Sequence, residues 1–373
     1  MKKMKAFNQF FIFLLCSYFS TTLLYGQSEL TIATWGGSYE NAQQTALFQP
    51  FEVATGTLVN TQKYSADLAI LNSDLLPDII DMTLGDALIA CDKKLIHKLD
   101  YKQILIKDKK HKNPKSDFVK HSILPCGIAH LSYSTLIAYD EREFTGEKPQ
   151  TISDFFDIKR FPGKRALNKS PSDILEWALI AEGVPIDQIY DLLSTERGMR
   201  IAFRRLDSIR DEIIWWDNPK QAASLLSTGK AVMASGYNGR FFSAQLDGAP
   251  ITMIWDAQII DWNVWVIPKQ KDSNSKTALK NDFIRFVIKA ENMAKLAEII
   301  PYGPSRKSAL RRIGLHAEQG FSMRDQLPTA THHLDRALFR DANWYANTQN
   351  LRKTRFWDWL NQNKMGDAKE DNQ

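Results

Sequence analysis

The sequence predicts an α/β protein of two lobes, each a mixed sheet flanked by helices, the two joined by a hinge. Three observations lead there. β-rich runs such as Glu29–Thr34 (ELTIAT) alternate with amphipathic helical stretches, the pattern that builds mostly parallel sheets covered by helices. Those runs end in glycine-rich or polar turns, the edge where open α/β sheets bind ligands. The chain has 373 residues, more than one ordinary compact domain needs.

The elements follow in chain order. Glu29–Thr34 runs into Trp35-Gly36-Gly37, a strand ending in a tight turn. Ser38 opens a helix to Ala54, stopped by Gly56. Residues 57–64 read as a second strand and 78–84 (DIIDMTL) as a third, followed by a helix over 86–95. Residues 107–117 (KDKKHKNPKSD) form a solvated basic loop, and 127–138 a long β-like run. Helical patterns cover 151–158, 173–182 and 185–213, the last broken near Gly198. Asn218 caps a helix over 220–226, and 231–235 is a buried strand ending in Gly236-Tyr237-Asn238-Gly239. Strands at 251–255 and 263–267 flank a turn at Asp261-Trp262. One long amphipathic helix over 278–300 is stopped by Pro301-Tyr302-Gly303-Pro304. The expected boundaries are 27–133 with 264–303 for the first lobe and 134–263 for the second. Residues 304–363 supply C-terminal helices packed on the lobes, and 364–373 a disordered tail.

Residues 1–26 read as a secretory signal peptide: Lys2, Lys3 and Lys5, an apolar stretch from Phe10 to Tyr25, and Gly26 at the cut. A retained anchor is the rival, because Leu24 is large for its place before the cut. Cys16 follows Leu14 and Leu15, where a lipid-attachment signal needs small residues. Nothing after residue 26 approaches the run of about 20 apolar residues that spans a bilayer. The expectation is an exported, soluble, periplasmic monomer. Net charge is +5, falling to about +2 without those three lysines, too mild to argue for nucleic acid. Cys91 and Cys126 remain after the signal, an even count in an oxidising compartment. They predict a disulfide, with two buried thiols as the alternative.

Catalytic signatures are absent: no GxSxG, HExxH, GxGxxG or GxxxxGK[ST]. His332-His333 is the only histidine pair, and neither a metal nor a cofactor is expected. What recurs is a strand end carrying glycine and aromatics: Trp35-Gly36-Gly37-Ser38-Tyr39, Thr83-Leu84-Gly85-Asp86, and Ser235-Gly236-Tyr237-Asn238. Glycines let a ligand approach the backbone, and aromatic rings supply flat walls.

These segments, with GKAVMASGYNGR, DWNVWVIPKQ and IPYGPSRKSAL in that order, resemble the solute-binding proteins of bacterial ABC importers, in particular the spermidine/putrescine-binding group. The resemblance runs over nearly the whole chain after the signal. It implies a type II periplasmic-binding-protein fold closing around a small solute, and an inner-membrane ABC permease as partner. Trp35 and Tyr39 match aromatics of the first binding loop, and Thr83 a Ser/Thr ligand contact. Gly85 stands where polyamine binders carry an aromatic. Asp173 and Glu176 fall on an acidic pair that meets ligand amines, and Tyr237 where a Trp flanks the alkyl chain. Asp261 and Asn263, with Trp262 between, replace an aromatic and an Asp, and Tyr302 matches an aromatic hydroxyl.

A buried ammonium needs a paired carboxylate, and aromatic faces add about 0.5–2 kcal/mol. The candidate site is therefore Trp35, Tyr39, Thr83, Asp86, Asp173, Glu176, Tyr237, Asp261, Trp262 and Tyr302. The leading expectation is a receptor for a small cationic solute, a polyamine such as putrescine or spermidine. The alternatives are the same scaffold with an amino-acid derivative, opine or sugar-like solute, and an exported enzyme using Cys126 as nucleophile.

Overall fold

The computed structural model describes residues 28–105, 113–269 and 276–362; the expected signal peptide, the first six residues of the expected basic loop and the whole of the expected tail 364–373 lie outside them. Eleven strands are described. β1 (Glu29–Thr34), β2 (Leu58–Lys63) and β3 (Ile79–Thr83) precede β4 (Ile123–Leu124) and the long β5 (Gly127–Asp140). β6 (Arg165–Asn168), β7 (Ile213–Trp216), β8 (Met233–Tyr237) and β9 (Ile251–Val266) follow, with short β10 (Gly303–Pro304) and β11 (Leu338–Phe339). Along the sheet the order is β2-β1-β3-β9-β5-β8-β6-β7.

That order has an internal symmetry. β1 pairs in parallel with β2 and β3, and β6 in parallel with β7 and β8. Each parallel trio then meets one long strand in antiparallel fashion, β3 on β9 and β8 on β5. β5 and β9 pair with each other antiparallel along most of their length, with register shifts near Ala129 and Thr135. These two strands carry the chain between the halves of the sheet. Each half has apolar clusters of its own. Ile32, Phe48, Ile79, Trp265 and Phe283 anchor one, and Phe155, Leu175, Trp177, Leu206 and Phe356 another.

Three expectations change. The turn at Asp261-Trp262 is absent. Both residues sit inside the 16-residue β9, opposite Tyr133 and Ser132 of β5. Polar side chains there made a buried strand read as a turn. The helix expected over 278–300 is two, Thr277–Val287 and Ala290–Ile299, because Lys289 between them adopts an extended backbone. Residues expected to be mostly helical beyond 304 hold one short helix, Lys307–Leu310, then mainly loops and short turns up to the helix Ala342–Asn361.

That last helix bridges. Tyr345, Phe356 and Trp359 pack into the apolar cluster around Trp177. Its start also lies on the helix Leu84–Asp92 of the other half, with the Cβ of Tyr345 3.7 Å from where a Cβ on Gly85 would sit. Helix Leu84–Asp92 is in turn fixed by the disulfide between Cys91 and Cys126, whose Cα atoms are 5.8 Å apart.

Candidate functional site

A cavity of about 400 Å³ opens where the strand ends of both halves meet. Trp35, Tyr39, Thr83, Asp86, Asp173, Tyr237, Asp261 and Tyr302, eight of the ten expected residues, line it. Glu176 and Trp262 do not. Glu176 lies behind the wall, accepting from the Tyr345 hydroxyl at 2.5 Å. Trp262 turns away from the cavity toward the apolar cluster around Met82 and Val264.

Local geometry places each side chain. Trp35 leaves β1 at the turn before helix Gly37–Gln43 and meets Tyr64 edge-on, centroids 4.8 Å apart. Tyr39 lies one turn into that helix. Its hydroxyl donates to Asp81 Oδ2 at 2.6 Å, and its ring meets Tyr302 at 5.3 Å. Thr83 caps helix Leu84–Asp92 through a bond from Asp86 N at 3.2 Å, and Asp86 accepts from Tyr64 Oη at 2.9 Å. Burial pushes the Asp86 carboxyl above the usual carboxylate range. Tyr237 ends β8, and burial raises its phenol to about 12, as it does for Tyr302. Gly239 is what lets Tyr302 approach, since a Cβ there would fall 2.6 Å from the phenol oxygen.

Two of the expected acids already have a cation partner. Arg340, buried between the halves, holds Asp261 through Nη1–Oδ2 at 2.9 Å and Asp173 through Nη2. Asp261 also accepts from Tyr133 Oη at 3.2 Å and from the Trp262 amide at 2.7 Å. Burial still raises its carboxyl, with Arg340 opposing. Asp173 stands at the start of helix Ile174–Ala181 but makes no side-chain cap. Its backbone takes φ +70°, a conformation that costs a non-glycine residue about 1–3 kcal/mol. Asp173 Oδ2 has no hydrogen-bond partner among the described residues.

Sequence reasoning weighed anions only and so missed the cations. Lys63, Arg240, Arg352 and Lys353 also line the cavity, and none has an acid within salt-bridge distance among the described residues. Arg240, one turn after Tyr237, reaches the Gly36 carbonyl at 2.6 Å and Ser38 Oγ at 3.1 Å. A Cβ on Gly37, whose φ is +62°, would run into that guanidinium. Arg240 falls within the GKAVMASGYNGR segment, so its signal was in view. Tyr345, Gln349, Arg352 and Lys353 come from the last helix, whose place in space no local pattern announces. Tyr345 stands where a side chain at position 85 would point, supplying an aromatic that Gly85 lacks.

Buried polar atoms are almost always hydrogen-bonded, and exceptions call for an explanation. Four cavity residues are exceptions among the described residues: Trp35 Nε1, Trp216 Nε1, Arg340 Nε and Asn263 Oδ1. Three N–H donors and one acceptor around one cavity suit a ligand carrying both acceptor and donor groups. Among the described residues no cluster of His, Cys, Asp or Glu has the arrangement of a metal site.

The fold and the cavity define a solute receptor, and comparison with known proteins agrees. The family described as bacterial extracellular solute-binding protein matches residues 46–322. The chain belongs to that family. It is 30% identical over 335 residues, 88% of its own length and 90% of the other's, to the gamma-aminobutyric acid-binding protein of Pseudomonas aeruginosa. Among solved structures it is similar to the substrate-binding protein of an ABC transporter from Bradyrhizobium japonicum, with TM-score 0.77 and 26% identity over 89% of this chain and 99% of that one. It is also similar to MotA of A. tumefaciens B6 in complex with glucopine, with TM-score 0.78 and 26% identity over the same shares. The type II periplasmic-binding-protein fold expected from the sequence is the fold found. The spermidine/putrescine group was too narrow an expectation, since none of these three is described as a polyamine binder. The family binds solutes and is not enzymatic. The Cys126 nucleophile falls with that, its sulfur being bonded to Cys91.

Proposed function

We propose that the protein is the exported receptor of an ABC importer, capturing a small amine that also bears a carboxylate. An amino-acid derivative of the γ-aminobutyrate or opine type fits, rather than a polyamine. The observation that carries this is the charge of the cavity. Arg340 already occupies Asp173 and Asp261, while Arg240 faces the space without an acid partner among the described residues. A polyamine brings only positive charge and would meet Arg240 and Arg340 as like charges. A zwitterion puts its carboxylate on Arg240 and the orphaned Trp35 Nε1. Its ammonium goes to Asp173 Oδ2 and Asn263 Oδ1, between the Tyr133 and Tyr237 rings. Charge-assisted bonds of this kind are the strong ones.

Binding draws the two lobes together, and the closed form is what the inner-membrane permease recognises. The first 26 residues direct export to the periplasm. The P. aeruginosa relative is a γ-aminobutyrate binder and the A. tumefaciens structure holds glucopine, which supports the same solute class. Thermal-shift measurements with γ-aminobutyrate, glucopine, putrescine and spermidine test the reading. A solute at a hundred times its Kd adds about 2.7 kcal/mol to stability. The carboxylate-bearing amines are expected to give that shift and the polyamines none. A shift from putrescine or spermidine alone overturns it.

A further inference from the structure

Several of the cations that line the cavity have no acid partner among the described residues. Arg352 is the clearest case. It is 4% exposed, and its guanidinium stacks on Tyr345 at 4.0 Å and on Trp344 at 5.2 Å. Nε donates to Thr348 Oγ1 at 3.0 Å, Nη2 to the Tyr345 carbonyl at 2.9 Å and Nη1 to Ser172 Oγ at 3.5 Å. No acid lies within 4 Å of it among the described residues. Glu176 accepts from the Tyr345 hydroxyl rather than from Arg352. Burial raises that carboxyl above its ordinary range, with Asp173 adding to the effect and Tyr345, Arg340 and Arg352 opposing it. A buried guanidinium without a paired anion is costly. This one lines the solute cavity.

Arg352 is not alone. Tyr345, Gln349, Arg352 and Lys353 all line the cavity from the helix Ala342–Asn361. Their spacing of four, seven and eight residues puts them on one helix face. Ser170 and Ser172 line the same cavity. Arg240 is anchored on Trp35, Gly36 and Ser38, and Arg352 on Ser172, Tyr345 and Thr348, so different elements hold the two guanidiniums at the cavity.

We infer that the solute carries a second acidic group, seated on Arg352 and Lys353 of the C-terminal helix beside Ser172. The inference rests on the proposed carboxylate-bearing amine and narrows it to amines with two acidic groups. The ammonium and first carboxylate occupy the seats already described. The second acid reaches the C-terminal helix, which thereby selects the length of the solute and links its capture to the helix that bridges both halves.

Calorimetry on the full mature chain decides it, with γ-aminobutyrate as the single-acid probe and L-glutamate and N-(1-carboxyethyl)-L-alanine as two-acid probes. Wild type is expected to bind at least one two-acid probe ten times or more tightly than γ-aminobutyrate. Arg352→Gln and Lys353→Gln are expected to remove most of that advantage while leaving γ-aminobutyrate affinity within about threefold. Lys353 is exposed, so its variant keeps the test meaningful if Arg352→Gln fails to fold. γ-Aminobutyrate binding as tightly as both two-acid probes overturns the inference and leaves the proposed function standing. So does an undiminished two-acid advantage in Lys353→Gln and any folded Arg352→Gln. Wild type binding polyamines and no carboxylate-bearing amine overturns both.

Discussion

Arg240 Nη2 donates to the Gly36 carbonyl at 2.6 Å, tying the helix Asn238–Leu246 to the turn after β1. The two residues are 204 apart in sequence and belong to opposite halves of the sheet. The guanidinium has five donors, of which the backbone of Trp35 and Gly36 and the hydroxyl of Ser38 take only part. The same side chain can therefore hold the halves together and still present donors to a solute carboxylate.

Arg240→Gln should lower affinity for a carboxylate-bearing amine by about 1.5–3 kcal/mol, the worth of a hydrogen bond to a charged group. Arg240→Lys should fall between, because a lysine keeps the charge and loses the planar fork. Calorimetric titration checks both. Unchanged affinity in Arg240→Gln removes Arg240 from the carboxylate seat.

Arg340→Gln should destabilise the protein at neutral pH by about 3–5 kcal/mol, because Asp173 and Asp261 lose their cation while buried. The sign of the pH dependence follows from Asp261. Burial raises its carboxyl, and Arg340 opposes that, so the variant raises it further. A carboxyl whose folded pKa exceeds its unfolded value gives stability at low pH and loses it as pH rises. The deficit of the variant should thus shrink on going from pH 7 toward pH 5, as read by denaturant melts. A deficit constant across that range contradicts the pairing.

How much of this was legible follows from the residues. The strand-end turns at Trp35, Thr83 and Tyr237 were visible because glycine and an aromatic after a β-rich run have a local cause. Asp261 was found as a residue and misplaced as a turn. A polar residue buried in a central strand violates the rule by which strands are read, and binding sites are where such violations collect. The split at Lys289 was hidden because both halves of that stretch keep the same apolar period. Arg340 and Arg352 were out of reach. Their meaning depends on Asp173, Asp261 and Tyr345, brought together by packing of the last helix and not by any spacing. Arg240 was legible and passed over, since a polyamine site asks only for acids.

Asp117 offers a test away from the cavity. It accepts from Arg306 Nε at 2.8 Å, from the Ser308 amide at 2.9 Å and from the Ser308 hydroxyl, fastening the turn Pro114–Asp117 to the chain after β10. Burial alone would raise its carboxyl. The bonds from Ser308 and Arg306 outweigh that and hold it below the usual range. Such a group stabilises above its unfolded pKa of about 3.9 and loses that contribution as pH falls through its lower folded value. Asp117→Asn should cost about 2–3 kcal/mol at pH 7, and the gap to wild type should close as pH drops below about 3.9. A gap that widens on acidification would count against this bonding.

The disulfide makes the last prediction, and reduction is a cleaner probe than mutation because no atom is removed from the core. Cys91 and Cys126 are 35 residues apart. Closing a loop of that size is worth about 3–4 kcal/mol in the chain-entropy account. Cys126 is buried among Val264 and Val266, so a reduced thiol loses no polar partner there and the chain-entropy term should dominate. Denaturant melts with and without reductant should differ by about that amount. Neither sulfur lines the cavity, although Ile89 of the same helix does, so solute affinity of the folded, reduced protein should stay within about twofold. Free thiols titrating in the oxidised protein, or equal stability in the two redox states, would refute the bond. A large loss of affinity on reduction would show that the bond also positions the helix Leu84–Asp92, and with it Thr83 and Asp86, for the solute.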